Sequence, residues 1–163
     1  MSNEPSHKRV TSVDRCEVAD VLARYCFFVD EGKVDEWVSL WTDDGVFAGV
    51  TPDPIRGREA LKQVPRWSLS GGSRHKLVNL FMDYGETPNE IVAQCYNFIT
   101  NWLNGGAIGA VAVAKYSLIR REDTWKIKSN QVRMLVPPHF DPQRLPEGFP
   151  YPANEPTHYP SID

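Results

Sequence analysis

The sequence predicts an α+β domain in which helices precede a set of long antiparallel strands. In the first part of the chain, up to Gly71-Gly72, apolar residues recur at helical spacing. The pattern then changes to the alternation that is typical of strands and keeps it to Val136. A length of 163 residues with 41% hydrophobic side chains suits one compact domain, and the chain contains neither an internal repeat nor a domain linker.

The first helix is predicted to begin near Asp14 and to end at Gly32. Asp14 and Glu17 have the spacing of a capping box, and a glycine such as Gly32 commonly follows a helix C-terminus. The buried stripe of this helix consists of residues at i, i+4, i+7 and i+11, namely Val18, Leu22, Tyr25 and Val29.

Two shorter helices follow the first one. The spacing of apolar residues predicts one helix over residues 34–41, after which a turn at 43–45 and a short strand at 46–47 are expected. The other helix is predicted over residues 58–62, and we expect Pro65 to end it.

Four long strands account for the rest of the domain. They are predicted over residues 75–84, 90–102, 110–121 and 125–136, with a hairpin turn at 121–124. The uncharged run 91–114 is long enough to span a bilayer. Polar residues interrupt this run and a Gly-Gly pair lies within it, so two buried strands joined by a turn are favoured.

The charge balance and the cysteines limit the classes of partner and the compartment. A net charge of -3 and a pI near 5.8 argue against binding to nucleic acid or to an anionic membrane. Cys16, Cys26 and Cys95 are an odd number of cysteines without metal-ligand spacing, which fits a reducing cytosol. The polar N-terminus with Pro5 does not resemble a signal peptide, so we expect a cytoplasmic protein.

The common catalytic motifs are absent from the sequence. It contains no glycine-rich phosphate loop, no HExxH zinc pair, no Cys-x-x-Cys and no Gly-x-Ser-x-Gly nucleophile motif. We therefore expect no cofactor and no metal, and any catalysis is expected to be acid–base chemistry on a small molecule.

Asp30 and His75 are the first candidates for that chemistry. Asp30 lies near the C-terminal end of the first helix, where the helix dipole disfavours a carboxylate. A hydrogen bond to an imidazole would offset this cost; otherwise Asp30 is a solvated charge. His75 opens a strand and shares its alternation with Leu77, Asn79 and Phe81. On an inner face, a carboxylate on one ring nitrogen would leave the other as a general base; otherwise the histidine is structural.

Tyr25 and Arg133 extend the candidate site. Tyr25 lies on the core stripe, so its hydroxyl needs a partner or a ligand. Arg133 shares the alternation of Trp125 and Ile127, and an inward arginine would bind a carboxylate or an anionic ligand. A bulge in that strand would turn Arg133 outward. Seven further aromatic residues either line a pocket or pack in the core: Phe27, Phe28, Trp41, Trp67, Phe81, Phe98 and Trp102.

Five segments, in order along the chain, resemble SnoaL-like proteins of the nuclear-transport-factor-2-like superfamily. They are ARYCFFVDEGK (23–33) with LWTDDGVF (40–47), GREAL (57–61), HKLVN (75–79) and WKI (125–127). The similarity covers roughly residues 12–136. It implies a curved antiparallel sheet that forms a cone, closed by three N-terminal helices over one deep apolar pocket. We therefore expect one domain over 1–136, with residues 1–10 flexible, and a proline- and aromatic-rich arm over 137–163.

The resemblance also implies roles for individual residues. Scytalone dehydratase-like enzymes and bile acid 7α-dehydratase pair an aspartate at a helix end with a strand histidine that acts as base. Asp30 and His75 match that pair, and Tyr25 matches a tyrosine five residues before the aspartate. Arg133 matches an arginine in the last strand. An acidic residue that some relatives place on the third strand has no match, and that region contains Asn97, Thr100 and Asn101 instead.

The activity implied by this resemblance is that of a cofactor-independent lyase. It would remove water, or cleave a carbon–carbon bond, in a small hydroxylated cyclic or aromatic compound. His75 would be the base, oriented by Asp30, and Arg133 or Asn97 would stabilise negative charge. The alternatives are an isomerase or polyketide-cyclase-like enzyme with the same pair, and a non-catalytic ligand-binding protein or oxygenase structural subunit. A structural subunit needs no ordered Asp30–His75 pair, so the separation of these side chains distinguishes the alternatives.

The outer face of the sheet and the C-terminal arm are the expected contact surfaces. Relatives commonly form oligomers through the outer face, and a homodimer or homotrimer is expected here. Val111 and Val113 would supply apolar surface if Ala112 and Ala114 point inward. The arm over 137–163 is too apolar for a solvated tail, so we expect it to pack over the pocket mouth or on a neighbouring subunit.

Overall fold

The computed structural model describes residues 9–136. Within them, four helices pack against one six-stranded sheet. The helices are α1 (Ser12–Asp30), α2 (Val34–Ser39), α3 (Arg58–Leu61) and α4 (Gln63–Ser70). The strands are β1 (Trp41–Ala48), β2 (Ile55–Arg56), β3 (Ser73–Tyr84), β4 (Glu90–Asn101), β5 (Ala107–Arg121) and β6 (Thr124–Val136). A single 3-10 turn, Trp102–Asn104, lies between β4 and β5.

The predicted α+β class with a curved sheet is confirmed. The strand order is β2-β1-β6-β5-β4-β3, and the sheet is curved and open. All neighbours are antiparallel except β1 and β6, which run parallel. The uncharged run 91–114 contains most of β4, the turn after it and the first half of β5. The two strands pair antiparallel, as expected. None of the described helices has the length and apolar character needed to cross a membrane.

The first helix begins earlier than the capping-box spacing predicts. Thr11 is the N-cap residue, and its hydroxyl accepts a hydrogen bond from the Asp14 amide. Asp14 is therefore the third helical residue, where a carboxylate also suits the positive end of the helix dipole. The C-terminus agrees with the prediction, because Gly32 adopts a φ of 64° just after the helix. A side chain at Gly32 would also collide with Leu69 of α4.

Three local predictions in the helical part are wrong. The second helix ends at Ser39, so Trp41 begins β1. The predicted turn at 43–45 lies inside β1, as an irregularity in its pairing with β6. Pro65 does not end a helix; it is the third residue of α4, a fourth helix that was not predicted. Proline is tolerated there because the first turn of a helix has no intrahelical partner for its N–H groups.

A β-bulge changes the inward face of β3 part-way along the strand. Val78 pairs with Tyr96 and Phe81 pairs with Gln94, so two residues of β3 oppose one residue of β4. The bulge contains Asn79, which has a φ of 55°. His75 and Leu77 precede it and keep the predicted face. Beyond it the alternation is reversed: Met82 is buried, whereas Phe81 is 52% exposed.

A second bulge reverses the face of β6. Ile127 pairs with Leu118 and Ser129 pairs with Ser117, which leaves Lys128 as the extra residue. Trp125 and Ile127 are buried as predicted. Beyond the bulge Ser129, Asn130 and Val132 are buried, and Asn130 and Val132 continue the inward face, whereas the simple alternation places Gln131 and Arg133 inward. The predicted inward position of Arg133 is therefore wrong.

The core lies between α1, α2 and the inner face of the sheet. Its centre is an aromatic cluster in which the ring of Tyr25 contacts the rings of Trp37, Trp41 and Tyr116. Opposite this cluster, β5 presents Ala112 and Ala114, both fully buried. These small side chains leave room for the large rings of the cluster.

The surfaces expected to make contacts between subunits stay predictions. Because Ala112 and Ala114 point inward, Val111 and Val113 lie on the outer face, as the expected homodimer or homotrimer requires. The arm over 137–163 lies outside the described residues. Of the N-terminal segment predicted to be flexible, residues 9 and 10 are described, and Val10 is buried in the core.

Candidate active site

A cavity lies between α1, α4 and the inner faces of β3, β4, β5 and β6. Its volume of about 90 Å³ far exceeds the roughly 10–15 Å³ that one water molecule requires. Most of its wall is apolar, and its apolar side chains are Val29, Phe47, Val50, Val64, Trp67, Ile99, Ala110, Val132 and Met134. The polar side chains in the wall are Tyr25, Ser68, Ser73, His75, Asn97, Asn101 and Asn130. Such an apolar concave site with few polar groups is typical of a binding site for a small molecule.

Asp30 and His75 form a hydrogen-bonded pair at this wall. The Asp30 Oδ1 atom lies 2.5 Å from Nδ1 of His75, and Oδ2 accepts a bond of 2.7 Å from the His75 amide. Both side chains are nearly buried, with 9% and 14% exposure. The carboxylate thus fixes the main chain and the ring of His75 at once.

The pair determines which ring nitrogen of His75 can act as a base. An ionised carboxylate only accepts hydrogen bonds, so the proton of the neutral imidazole lies on Nδ1. Nε2 is then the unprotonated nitrogen. A histidine with this tautomer, set by a carboxylate, is the arrangement required for general-base chemistry near neutral pH.

Arg74 offsets the unfavourable position of Asp30 at the helix C-terminus. Its Nη1 donates a 3.0 Å hydrogen bond to the main-chain oxygen of Asp30, and its Nη2 lies 3.5 Å from Glu31. The same guanidinium lies over the ring of Trp102. A cation that binds a terminal carbonyl complements the negative end of the helix dipole.

Tyr25 presents its hydroxyl inside the cavity wall, one and a half helical turns before Asp30. The hydroxyl accepts a 3.0 Å hydrogen bond from Nδ2 of Asn130. Burial raises the pKa of Tyr25 well above its ordinary value, and the hydrogen bond from Asn130 opposes this only in part. Tyr25 therefore stays protonated at neutral pH, and its O–H can donate a hydrogen bond to a ligand.

Asn97 lies on β4 beside the pair. Its side chain lines the cavity and is 5% exposed, and among residues 9–136 its Oδ1 atom has no hydrogen-bond partner. A buried amide oxygen without a partner is costly, which is a reason to expect a ligand group at that position.

A comparison with protein families identifies the architecture. The model of the SnoaL-like domain matches residues 10–131. The chain belongs to the SnoaL-like family. No curated protein matches its sequence.

Solved structures share the fold of this SnoaL-like protein. A protein of unknown function with a cystatin-like fold from Nostoc punctiforme is 22% identical, with a TM-score of 0.68 over 85% of this chain and 98% of that chain. A protein provisionally assigned as a scytalone dehydratase, from Novosphingobium aromaticivorans, is 15% identical, with a TM-score of 0.63 over 76% and 85%. Aln2 from a Streptomyces species is 16% identical, with a TM-score of 0.68 over 78% and 94%.

Four of the eight predicted site residues of the SnoaL-like chain lie together, and four do not. His75, Tyr25 and Asn97 line the cavity, and Asp30 binds His75 from behind the cavity wall. The remaining four, Arg133, Phe81, Trp41 and Phe28, lie outside the cavity lining.

The bulges displace two of these residues, and core packing accounts for the other two. Arg133 and Phe81 follow the bulges in β6 and β3, which turn them to the outer face. Trp41 is fully buried and packs against Trp37. Phe28 is partly buried against the core, with its ring 6.2 Å from that of Phe27.

Sequence reasoning missed one residue at the site and left another without a role. The simple alternation of β6 places Asn130 with Lys128 on the face opposite to Trp125, because no sequence signal marks the bulge at Lys128. Asn101 shares the alternation of Asn97 on β4, so its inward position could have been deduced from that pattern.

Cysteine chemistry does not fit this site. Burial raises the pKa of Cys95 to about 12 and raises that of Cys26 still further, with the nearby Asp30 carboxylate as a second cause. Both thiols are therefore protonated at neutral pH and are poor nucleophiles. In the described part of the chain, no three histidine, cysteine, aspartate or glutamate side chains come together as a metal site.

Proposed function

We propose that the protein is a cofactor-independent lyase that acts on a small hydroxylated cyclic or aromatic compound. The observation that carries this proposal is the Asp30–His75 hydrogen bond of 2.5 Å at the wall of an apolar cavity. Membership of the SnoaL-like family supports a cofactor-independent enzyme.

In the proposed reaction, Nε2 of His75 removes a proton from a carbon beside a carbonyl group or from a phenol. From a carbon acid, the electron pair left behind forms a carbon–carbon double bond and expels the hydroxyl group from the neighbouring carbon. From a phenol, the electron pair passes through the ring to form a quinone methide and expels the hydroxyl group from a ring substituent. The leaving oxygen takes the proton back from the imidazolium ring, so the second product is water in both cases. Asp30 stabilises the imidazolium that exists between the two proton transfers.

Tyr25 acts on the charge that develops on the substrate, and Asn97 positions the substrate. The protonated Tyr25 hydroxyl donates a hydrogen bond to the oxygen that becomes negative. The amide of Asn97 holds the substrate beside His75. In a dry cavity, a fixed donor of this kind contributes several kcal/mol of transition-state stabilisation.

The contacts between Asp30 and His75 also help to compare the lyase with a non-catalytic subunit and with an isomerase. A non-catalytic structural subunit has no need of a buried carboxylate that binds both the ring and the amide of one histidine, so the observed contacts favour an enzyme. An isomerase would use the same pair without a leaving group. Its product has the mass of its substrate, whereas a lyase product is lighter by water or formaldehyde.

The test is a screen of hydroxylated aromatic and steroidal compounds by mass spectrometry, with the wild-type protein and His75→Ala. We expect one or more compounds to lose the mass of water, and His75→Ala to lower the rate by about 100- to 10,000-fold. Lys76→Ala, an exposed neighbour on the same strand, is the matched control. Full activity of His75→Ala, with its fold verified by circular dichroism, would exclude the mechanism.

A further inference from the structure

The charge of the side chains that line the cavity limits the charge of the ligand it can bind. No lysine, arginine, aspartate or glutamate occurs among the described residues that line it. The nearest carboxylate, Asp30, lies behind His75 and is held by it. An anionic ligand group would therefore lose its hydration without gaining a cation, which opposes its binding.

Asn101 offers an acceptor whose orientation is determined. Its Nδ2 donates a 3.0 Å hydrogen bond to the main-chain oxygen of Gly71, which can only accept. The amide group therefore cannot be reversed, and Oδ1 is the atom left over. Among residues 9–136, this buried oxygen has no partner.

Other unpartnered oxygens lie in the same wall. Within the described residues, Oδ1 of Asn97, Oδ1 of Asn130 and Oγ of Ser68 are buried without a hydrogen-bond partner. Together with Oδ1 of Asn101 these are four buried atoms, and three of them are amide oxygens, which accept and never donate. A ligand that satisfies them must supply O–H or N–H groups.

The strand register arranges the acceptors around the base. On β4, Asn97 pairs with Leu77, Ile99 with His75, and Asn101 with Ser73. His75 thus lies opposite the midpoint between the two asparagines, which are about 13 Å apart along the strand at roughly 3.3 Å per residue. A ligand that reaches both asparagines passes in front of the His75 ring.

We propose that the cavity binds an uncharged ligand that donates a hydrogen bond to Asn101 at one end and to Asn97 at the other, with its reacting carbon between them at His75. The inference rests on the proposed function for the role of His75 and adds the charge and hydrogen-bonding class of the substrate. Asn101 is then a specificity-determining residue.

Binding of four biphenyl probes tests the proposal without turnover. The first carries a hydroxyl group at each para position, the second is its monomethyl ether, and the third is its dimethyl ether. In the fourth, a carboxylate replaces one hydroxyl group. Dissociation constants are measured by calorimetry with the wild-type protein and with His75→Gln. Each methylation is expected to weaken binding by about three- to tenfold, and the carboxylate by at least about tenfold.

The variant Asn101→Leu and a control variant test whether Asn101 accepts one of the two hydrogen bonds from the ligand. In Asn101→Leu, the diol and its monomethyl ether are expected to bind equally, because one acceptor has been removed. Asn104→Leu, in the exposed turn after β4, is the matched control and is expected to keep the wild-type order. Thermal unfolding verifies that both variants are folded.

The outcomes separate this inference from the proposed function. Tighter binding of the carboxylate probe, equal binding of the diol and dimethyl ether, or no binding of any probe at millimolar concentration would overturn the inference, even if some substrate is turned over through His75. The expected order of affinities without turnover of any compound would support the inference and count against the lyase.

Discussion

Helix α1 carries an aspartate near each end, and each binds a side chain of β3, yet the two contacts differ. Near the N-terminus, Asp14 accepts hydrogen bonds from Tyr84 and Thr11 and forms an ion pair with Arg120. Near the C-terminus, the Asp30 side chain binds only His75 among the described residues, and that histidine faces the cavity. The Asp14 carboxylate is thus part of a network of side chains that bind one another. The Asp30 carboxylate is connected through His75 to a cavity whose wall contains polar atoms without a hydrogen-bond partner among the described residues.

The helix dipole adds to the difference between the environments of the Asp14 and Asp30 carboxylates. A carboxylate in the first turn is stabilised by the dipole, whereas one in the last turn is destabilised by it. The tyrosine hydroxyl, above all, and then Thr11 and Arg120 hold the pKa of Asp14 below its ordinary value, against the opposing effect of burial. The contact at the favourable end stabilises the fold. The contact at the unfavourable end is retained, we infer, for its chemistry.

The largest expected effect comes from Asp30→Asn. Asparagine keeps one acceptor oxygen but removes the charge that stabilises a protonated His75, so the rate of the reaction found in the screen should fall at least about 100-fold. The measurement is kcat at a protein concentration corrected for the folded fraction. A rate within threefold of wild type would contradict the assigned role of the contact.

Asp14→Asn is expected to give the opposite pattern. It removes the charge from the network with Tyr84 and Arg120, so the free energy of unfolding in urea should fall by about 1–2 kcal/mol. The kcat of the folded fraction should stay within twofold of wild type. Asp20→Asn is the control on the same helix, because its ion pair with Arg24 is exposed and is worth less than about 0.5 kcal/mol.

The difference between wild type and Asp14→Asn should itself depend on pH. Because folding lowers the pKa of Asp14 from 3.8, its contribution is complete above that value and is lost as the pH falls below it. Urea unfolding of both proteins, from neutral pH to about pH 3, should show a constant difference that then shrinks. A difference that grows on acidification would contradict the lowered pKa.

The smallest expected effect is that of Arg74→Ala. Arg74 binds the main-chain oxygen of Asp30 and does not line the cavity, so its loss should lower kcat by about two- to fivefold and leave KM unchanged. Arg74→Lys should recover part of the loss, because it restores the charge at the helix end. Arg24→Ala, on the exposed face of α1, is expected to leave kcat unchanged.

The predictable part of the fold is the part that depends on periodicity. The ends of β4, β5 and β6 lie within three residues of those expected from alternation, and the C-terminus of α1 lies where Gly32 predicts it. The face of a strand is less predictable, because one extra residue reverses it. Asn79 gave a weak signal, since asparagine tolerates positive φ, whereas Lys128 gave none.

The bulges also decide which of the predicted site residues lie where they are expected. Tyr25, Asp30, His75 and Asn97 lie on α1 or on strand segments whose alternation is undisturbed, and the prediction places them together correctly. Phe81 and Arg133 lie beyond the bulges, so their predicted inward positions are wrong. Aromatic character also cannot separate a core residue such as Trp41 from a residue that lines a cavity.

The bulge at Lys128 means that the charge inside the cavity depends on the register of β6 as well as on the identity of its residues. If Lys128 paired with Ser117 and the strand continued without a bulge, every later side chain of β6 would change sides. Arg133 would then point inward and Val132 outward. The same set of amino acids would then offer a cation to a carboxylate ligand. A single bulge is thus the feature that keeps the wall of this cavity uncharged.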